Sequence, residues 1–192
     1  VSDPLHPVND HLKHLSKHED QHEINIFNKK KEILGGDILF LISCNEIIKK
    51  DIRELYQKTL VIHASDLPKG RGWSPYIWEI LDGKSEITVS LIEADESVDA
   101  GDIWLQEKFR LAGHELLPEI HEMLFKCEIS LISKVINEFK SIKPVKQSGD
   151  PGLYYRKRTP EDSQLDLKKS IDSQFNLLRV TDFDRFPAYF IK

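Results

Sequence analysis

An α/β fold with a mostly parallel sheet is what the sequence predicts, and three observations predict it. Two apolar runs of strand length, Ile38-Leu39-Phe40-Leu41-Ile42 and Thr59-Leu60-Val61-Ile62-His63, have the texture of strands covered on both faces. Leu117, Ile120, Leu124, Cys127 and Leu131 recur at intervals of 3 and 4, the period of an amphipathic helix. Strand-like and helix-like stretches alternate along the chain, as βαβ units require.

Taken in order, Leu5, Val8, Leu12 and Leu15 mark one face of a helix in the polar, His-rich opening segment. Gly35-Gly36-Asp37 breaks the chain before the first strand. Residues 49–57 read as a helix and 59–63 as the second strand. Ser74-Pro75 is a helix start, with Ser as cap and Pro at the first helical position, and Gly83 suits the stop after Leu81. Ile87–Ile92 alternates and is β-branched, so it is a strand, and Ile103–Phe109 is the next. The long helix runs over 118–139 and ends before Pro144. These elements place one domain at residues 1–146. Residues 147–192 form a short helical and β appendage: a polar linker over 147–152, a basic aromatic run Tyr154-Tyr155-Arg156-Lys157-Arg158, a capped helix start at Thr159-Pro160-Glu161-Asp162, and a helix over 170–180.

The chain has 192 residues, 40% of them hydrophobic and 31% charged, the balance of a globular domain. No run reaches the ~18 apolar residues of a membrane span, and Val1-Ser2-Asp3-Pro4 has neither the basic nor the apolar region of a secretory leader. A cytoplasmic protein without a membrane partner is the expectation. Cys44 and Cys127 are too few for a disulfide framework or zinc site and read as core thiols. A net charge of −5 argues against a broad phosphate-binding surface, though not against one small phosphorylated ligand. His11, His14 and His18 share a helical face, but no matching carboxylate or Cys accompanies them, so no metal site is assigned.

Two constellations carry chemistry. His63 ends a strand, the place where open α/β sheets bind ligands. The loop behind it, Ala64-Ser65-Asp66-Leu67-Pro68-Lys69-Gly70-Arg71-Gly72, combines turn-forming residues with two cations. A core histidine satisfied by backbone is the alternative reading. The second constellation, Asp95-Glu96-Ser97-Val98-Asp99-Ala100-Gly101-Asp102, joins two strands. It is compatible with a solvated loop, with a cation site of unusual spacing, or with a carboxylate that orients His63 as a general base.

Both motifs resemble those of the folate-dependent formyltransferases, the family of the methionyl-tRNA, glycinamide ribonucleotide and sugar N-formyltransferases. His63, Ser65, Leu67-Pro68, Arg71-Gly72, Pro75 and Trp78 match one motif in register, and Asp99-Ala100-Gly101-Asp102 matches the second. Arg158-Thr159-Pro160-Glu161-Asp162-Ser163, Asn176, Arg179 and Pro187-Ala188-Tyr189-Phe190 resemble the segment after the catalytic domain in the methionyl-tRNA and UDP-4-amino-arabinose enzymes.

The resemblance implies a Rossmann-like formyltransferase core with N10-formyltetrahydrofolate as co-substrate. His63 and Asp99 would be catalytic, with folate near Asn45, Ile47 and Asp95. Ser65, Lys69 and Arg71 would meet the acceptor, and no metal is needed. The expected acceptor is the amine of a nucleotide-linked amino sugar, whose diphosphate Lys69, Arg71 or the 156–158 run could meet, and a homodimer is usual among such enzymes. Methionyl-tRNA is the rival acceptor, ranked lower on charge, and a non-catalytic folate-binding domain is the rival from another class. Two departures stand out. Val61 replaces the family's Asn two residues before the His, leaving Ser65 or Asn45 as stand-in donors. His63 also arrives early, so the N-terminal β–α–β unit is expected to be incomplete.

Overall fold

A computed structural model describes residues 1–192. Its central sheet has four strands: β1 (Gly36–Leu41), β2 (Tyr56–His63), β4 (Glu86–Glu93) and β5 (Ile103–Arg110), in the order β1-β2-β4-β5. A two-residue strand β3 (Arg71–Gly72) pairs in parallel with β6 (Tyr154–Tyr155) of the tail. The helices are α1 (Val8–His18), α2 (Lys50–Arg53), α3 (Pro75–Leu81), α4 (Leu117–Glu138) and α5 (Phe175–Arg179).

The α/β class stands as expected, and the pairing refines it. β1 and β2 run parallel, with Leu41 opposite Val61. β2 with β4, and β4 with β5, are antiparallel. β5 follows β4 through nine residues without a helix between them, too short for a crossover to a parallel neighbour. Its alternating burial is that of a strand wetted on one face.

The sheet separates two apolar clusters. Leu60 and Ile62 point to the large one, which α4 fills with Ile120, Leu124 and Leu131 and α1 joins through Val8 and Leu12. The opposite face holds a smaller cluster of Ile33, Leu39, Leu41 and Ile48, against which Val61 and Cys44 pack. Along the free edge of β1, the Val1 amino group donates to the Phe40 carbonyl and Ile42 N–H donates to the Val1 carbonyl.

Four local expectations are corrected. Only Lys50–Arg53 of the 49–57 stretch is helical, because the β2 ladder captures the chain from Tyr56. Leu5 is 92% exposed, since a turn at Asp3–His6 precedes the helix that begins beyond Pro7. Ser74 makes no side-chain cap, being left-handed at φ 46°, while Pro75 takes its place at the helix start. In the tail the helix over 170–180 shortens to a 3₁₀ turn at Asp172–Gln174 and α5. Residues 147–192 lie against the rest of the chain: Val180 is fully buried in the large cluster, and Arg179 reaches the Glu115 carboxylate at 3.1 Å.

Candidate active site

His63 closes β2 on the face of the small cluster, and its side chain is 9% exposed. Its Nε2 lies 2.9 Å from the Gly70 carbonyl oxygen. A carbonyl only accepts, so Nε2 carries the proton in this arrangement. The other ring nitrogen, Nδ1, then faces Asp99 Oδ1 at 3.5 Å, and that carboxylate is 10% exposed. In the neutral ring this nitrogen is a lone pair opposite a carboxylate, so a proton arriving there turns repulsion into an ion pair.

Asp99 is held with unusual care. It adopts φ 54°, a costly conformation for a residue with a side chain. Its Oδ2 accepts from Gly72 N–H at 2.9 Å. Gly101 packs so closely that a Cβ there would sit 1.8 Å from the Glu93 carbonyl, which explains the Gly two residues after the Asp. Gln147, half-buried, donates through Nε2 to the carbonyls of Asp99 (3.0 Å) and Gly101 (2.8 Å). Its Oε1 accepts from Arg71 at 2.9 Å. Sequence reasoning passed over Gln147 as linker, and nothing in its local context could have flagged it.

The remaining expected site residues are distributed as follows. Ser65 is fully buried beneath Gly70, and its Oγ has no partner. Lys69 is exposed, alongside Gly152. Arg71 is partly buried and engaged by Gln147, with its Nε buried and unpaired. Asn45 is exposed and donates to the Asp3 carboxylate. Ile47 is 81% exposed on the loop after β1. Asp95 presents its carbonyl to Arg53 at 3.0 Å, so the chain after β1 and the loop after β4 meet there. His63, Asp99 and Arg71 are thus joined through a handful of bonds, whereas Asn45, Ile47 and Asp95 share no hydrogen bond or ion pair with them.

The basic aromatic run is corrected as a source of free cations. Arg158 is buried and bonds the Val180 carbonyl and Ser163 Oγ. Arg156 grips Asp162 through two bonds, which holds that carboxyl down at about 2. Lys157 lies over the Trp73 ring. Of the α1 histidines, His11 turns to Glu122, while the His14 and His18 rings lie 4.1 Å apart.

Residues 5–136 match the family described as Formyl transferase. The chain belongs to that family. Its formyl transferase relatives include the methionyl-tRNA formyltransferase of Rickettsia felis, 32% identical over 148 residues, 77% of this chain and 48% of that one. The chain therefore spans about half the length of the curated relatives it matches. In fold it is similar to the methionyl-tRNA formyltransferase of Clostridium thermocellum, with a TM-score of 0.83 and 23% identity over 96% of this chain and 83% of that one. It is also similar to WlaRD, a sugar 3N-formyltransferase solved in the presence of dTDP and 5-N-formyl-THF. That match has a TM-score of 0.64 and 25% identity over 77% of this chain and 56% of that one.

Proposed function

We propose that this chain carries the catalytic core of an enzyme that moves a formyl group from N10-formyltetrahydrofolate to the amine of a nucleotide-linked amino sugar. The observation that carries the reading is the buried His63–Asp99 pair at the end of β2, 3.5 Å apart, in a member of the formyl transferase family. The folate supplies the formyl carbon. The acceptor nitrogen bonds to it, the bond to N10 breaks, and the proton the amine loses is passed on to N10, which leaves as tetrahydrofolate. His63 Nδ1 is the lone pair available for that proton, and Asp99 stabilises the resulting imidazolium. By the family resemblance the pterin would lie near the exposed Ile47 side chain and the loop around Asp95.

Val61 packs in the small apolar cluster and has no hydrogen bond to offer an oxyanion. Of the two stand-in donors, the Asn45 amide is engaged by Asp3, while Ser65 Oγ is unpartnered. Ser65 is fully buried beneath Gly70, so neither stand-in reaches an oxyanion in this arrangement, and the contribution forgone is usually worth ~100-fold or more in rate.

The amino sugar rests on the chain's net charge of −5 and on exposed Lys69 beside the His63 loop, one cation being enough for a diphosphate. Methionyl-tRNA is the second reading, and the names of the curated relatives favour it. The test mixes the full-length protein and N10-formyltetrahydrofolate with UDP- and dTDP-linked 4-amino sugars, and separately with methionyl-tRNA. Mass spectrometry then looks for one added formyl group. A formylated sugar nucleotide, lost in His63→Ala, is the expected result. Formylation of tRNA alone replaces the acceptor, and folate binding without turnover on any acceptor removes catalysis.

A further inference from the structure

Gln147 lies outside every motif described above, yet it has the most connected side chain in the site. Both of its N–H donors and one lone pair of its oxygen are used, in a way that fixes its orientation. The guanidinium of Arg71 can only donate, so it requires the amide oxygen, and the carbonyls of Asp99 and Gly101 can only accept, so they require the amide nitrogen. The two carbonyls flank the turn that puts Asp99 at φ 54°. A residue with a side chain is disfavoured in such a conformation and keeps it where the surroundings over-determine it. The Gly72 N–H holds the carboxylate end of Asp99, and Gln147 holds the backbone end.

We infer that Gln147 is a positioning residue for the His63–Asp99 pair: its carboxamide holds the 99–101 turn so that the Asp99 carboxylate stays opposite His63 Nδ1. The inference rests on the formyl-transfer reading of that pair and adds to it a residue from beyond α4. Through its amide oxygen Gln147 also holds Arg71, the residue before Gly72, whose own place is set by the pairing of β3 with β6. A carboxylate in its place would set charged oxygens against two carbonyl oxygens, and a shorter side chain would not span the gap.

The test uses the full-length protein with ring-labelled histidine, the His63 signals being assigned by their loss in His63→Ala. Nitrogen spectra at one fixed pH compare wild type, Asp99→Asn, Gln147→Ala and Gln147→Glu, with titration of 5-formyltetrahydrofolate into each as the measure of an intact folate site. The expectation is that both Gln147 variants move the His63 nitrogens toward the Asp99→Asn positions while 5-formyltetrahydrofolate affinity stays within about twofold of wild type. In the acceptor assay, kcat falls about 10- to 100-fold with little change in KM, the scale on which small displacements of reacting groups act. His63 signals in Gln147→Ala that superimpose on wild type overturn the inference. If Gln147→Ala does not fold, Gln147→Asn, one methylene shorter, takes its place with the same criterion. Failure of the underlying reading looks different: wild type then binds no 5-formyltetrahydrofolate, or Asp99→Asn leaves the His63 signals unmoved.

Discussion

Gly72 sits at φ 105°, and an added Cβ would come within 2.2 Å of the Tyr155 carbonyl oxygen. It also donates the N–H that holds Asp99. Gly72→Ala is therefore expected to cost at least about 1–3 kcal/mol, from left-handed strain together with the backbone clash. Urea unfolding measures the loss, and transfer activity should fall further than stability alone explains. At this scale residue type and spacing left a core histidine and a solvated loop open, and only the family resemblance singled out His63 and Asp99, which the structure joins at 3.5 Å. Gln147 carried no signal, because a single Gln in a polar linker has neither periodicity nor charge, and its partners lie 46 to 76 residues away. Arg158 misled in the opposite sense: a cation in a basic run reads as surface, and only the fold shows it enclosed by the tail.

Among the elements, α4 and its neighbours bury titratable groups that set a stability profile. Glu128 on α4 is raised to about 8 by burial. His121 on α4 and His6 are each lowered to about 4, by burial first and then by neighbouring charges that include Arg185. Tyr76 of α3, whose hydroxyl lies 3.0 Å from His121 Nε2, is pushed upward by burial. The folded state binds more protons than the unfolded one at Glu128 between about 4.5 and 8, so stability falls as pH rises across that window. At the two histidines the unfolded state binds more protons between about 4 and 6.5, so stability rises with pH there. Two histidines outweigh one glutamate below 6.5, and above it the glutamate is opposed by the buried Val1 amino group, lowered to about 6, which favours the folded state as pH rises toward 8. Glu115 and Asp162, held down at about 2, add to the loss once pH drops below about 4.5. Thermal midpoints across pH 4–9 should therefore rise to about pH 6.5 and level off toward 8, and Glu128→Gln should steepen the acid limb and let the midpoint climb further up to 8. The elements themselves were legible wherever hydrophobic runs were long, as in β2, β4 and α4. Pairing direction was not, because strand neighbours are chosen by connections and packing far from any one run. The 49–57 stretch failed for a related reason: Tyr56-Gln57-Lys58 has helical tolerance in isolation, and the ladder with β1 decides against it.

For the whole molecule, the tail behaves as part of the core. Arg179 is 4% exposed and bonds both the carbonyl and the carboxylate of Glu115, while its neighbour Val180 is fully buried. Glu115 is bound in addition by the N–H groups of Ala112 and Gly113. Arg179→Ala leaves that enclosed carboxylate short of its cation, and removal of one partner of a buried pair costs about 3–5 kcal/mol. Calorimetry should show a clearly lowered midpoint with a single transition, since Val180 ties the tail to the same cluster as α4. The sequence resemblance located Arg179 and the surrounding segment, but composition alone made residues 147–192 look like an appendage. Burial of a few side chains, and not the polar majority around them, determines where such a segment sits.

The sheet also acts as a partition with an arithmetic of its own. Along β2, even-numbered Leu60 and Ile62 serve the large cluster, while odd-numbered Val61 and His63 serve the other face. Parity, more than distance along the chain, thus assigns each residue to scaffold or to chemistry. A single residue inserted before Val61 would exchange the two sets, aiming the imidazole at Ile120 and Leu131 and an isoleucine at Asp99. The strand that carries the histidine therefore has its count of residues fixed, because any shift by one would trade core for imidazole.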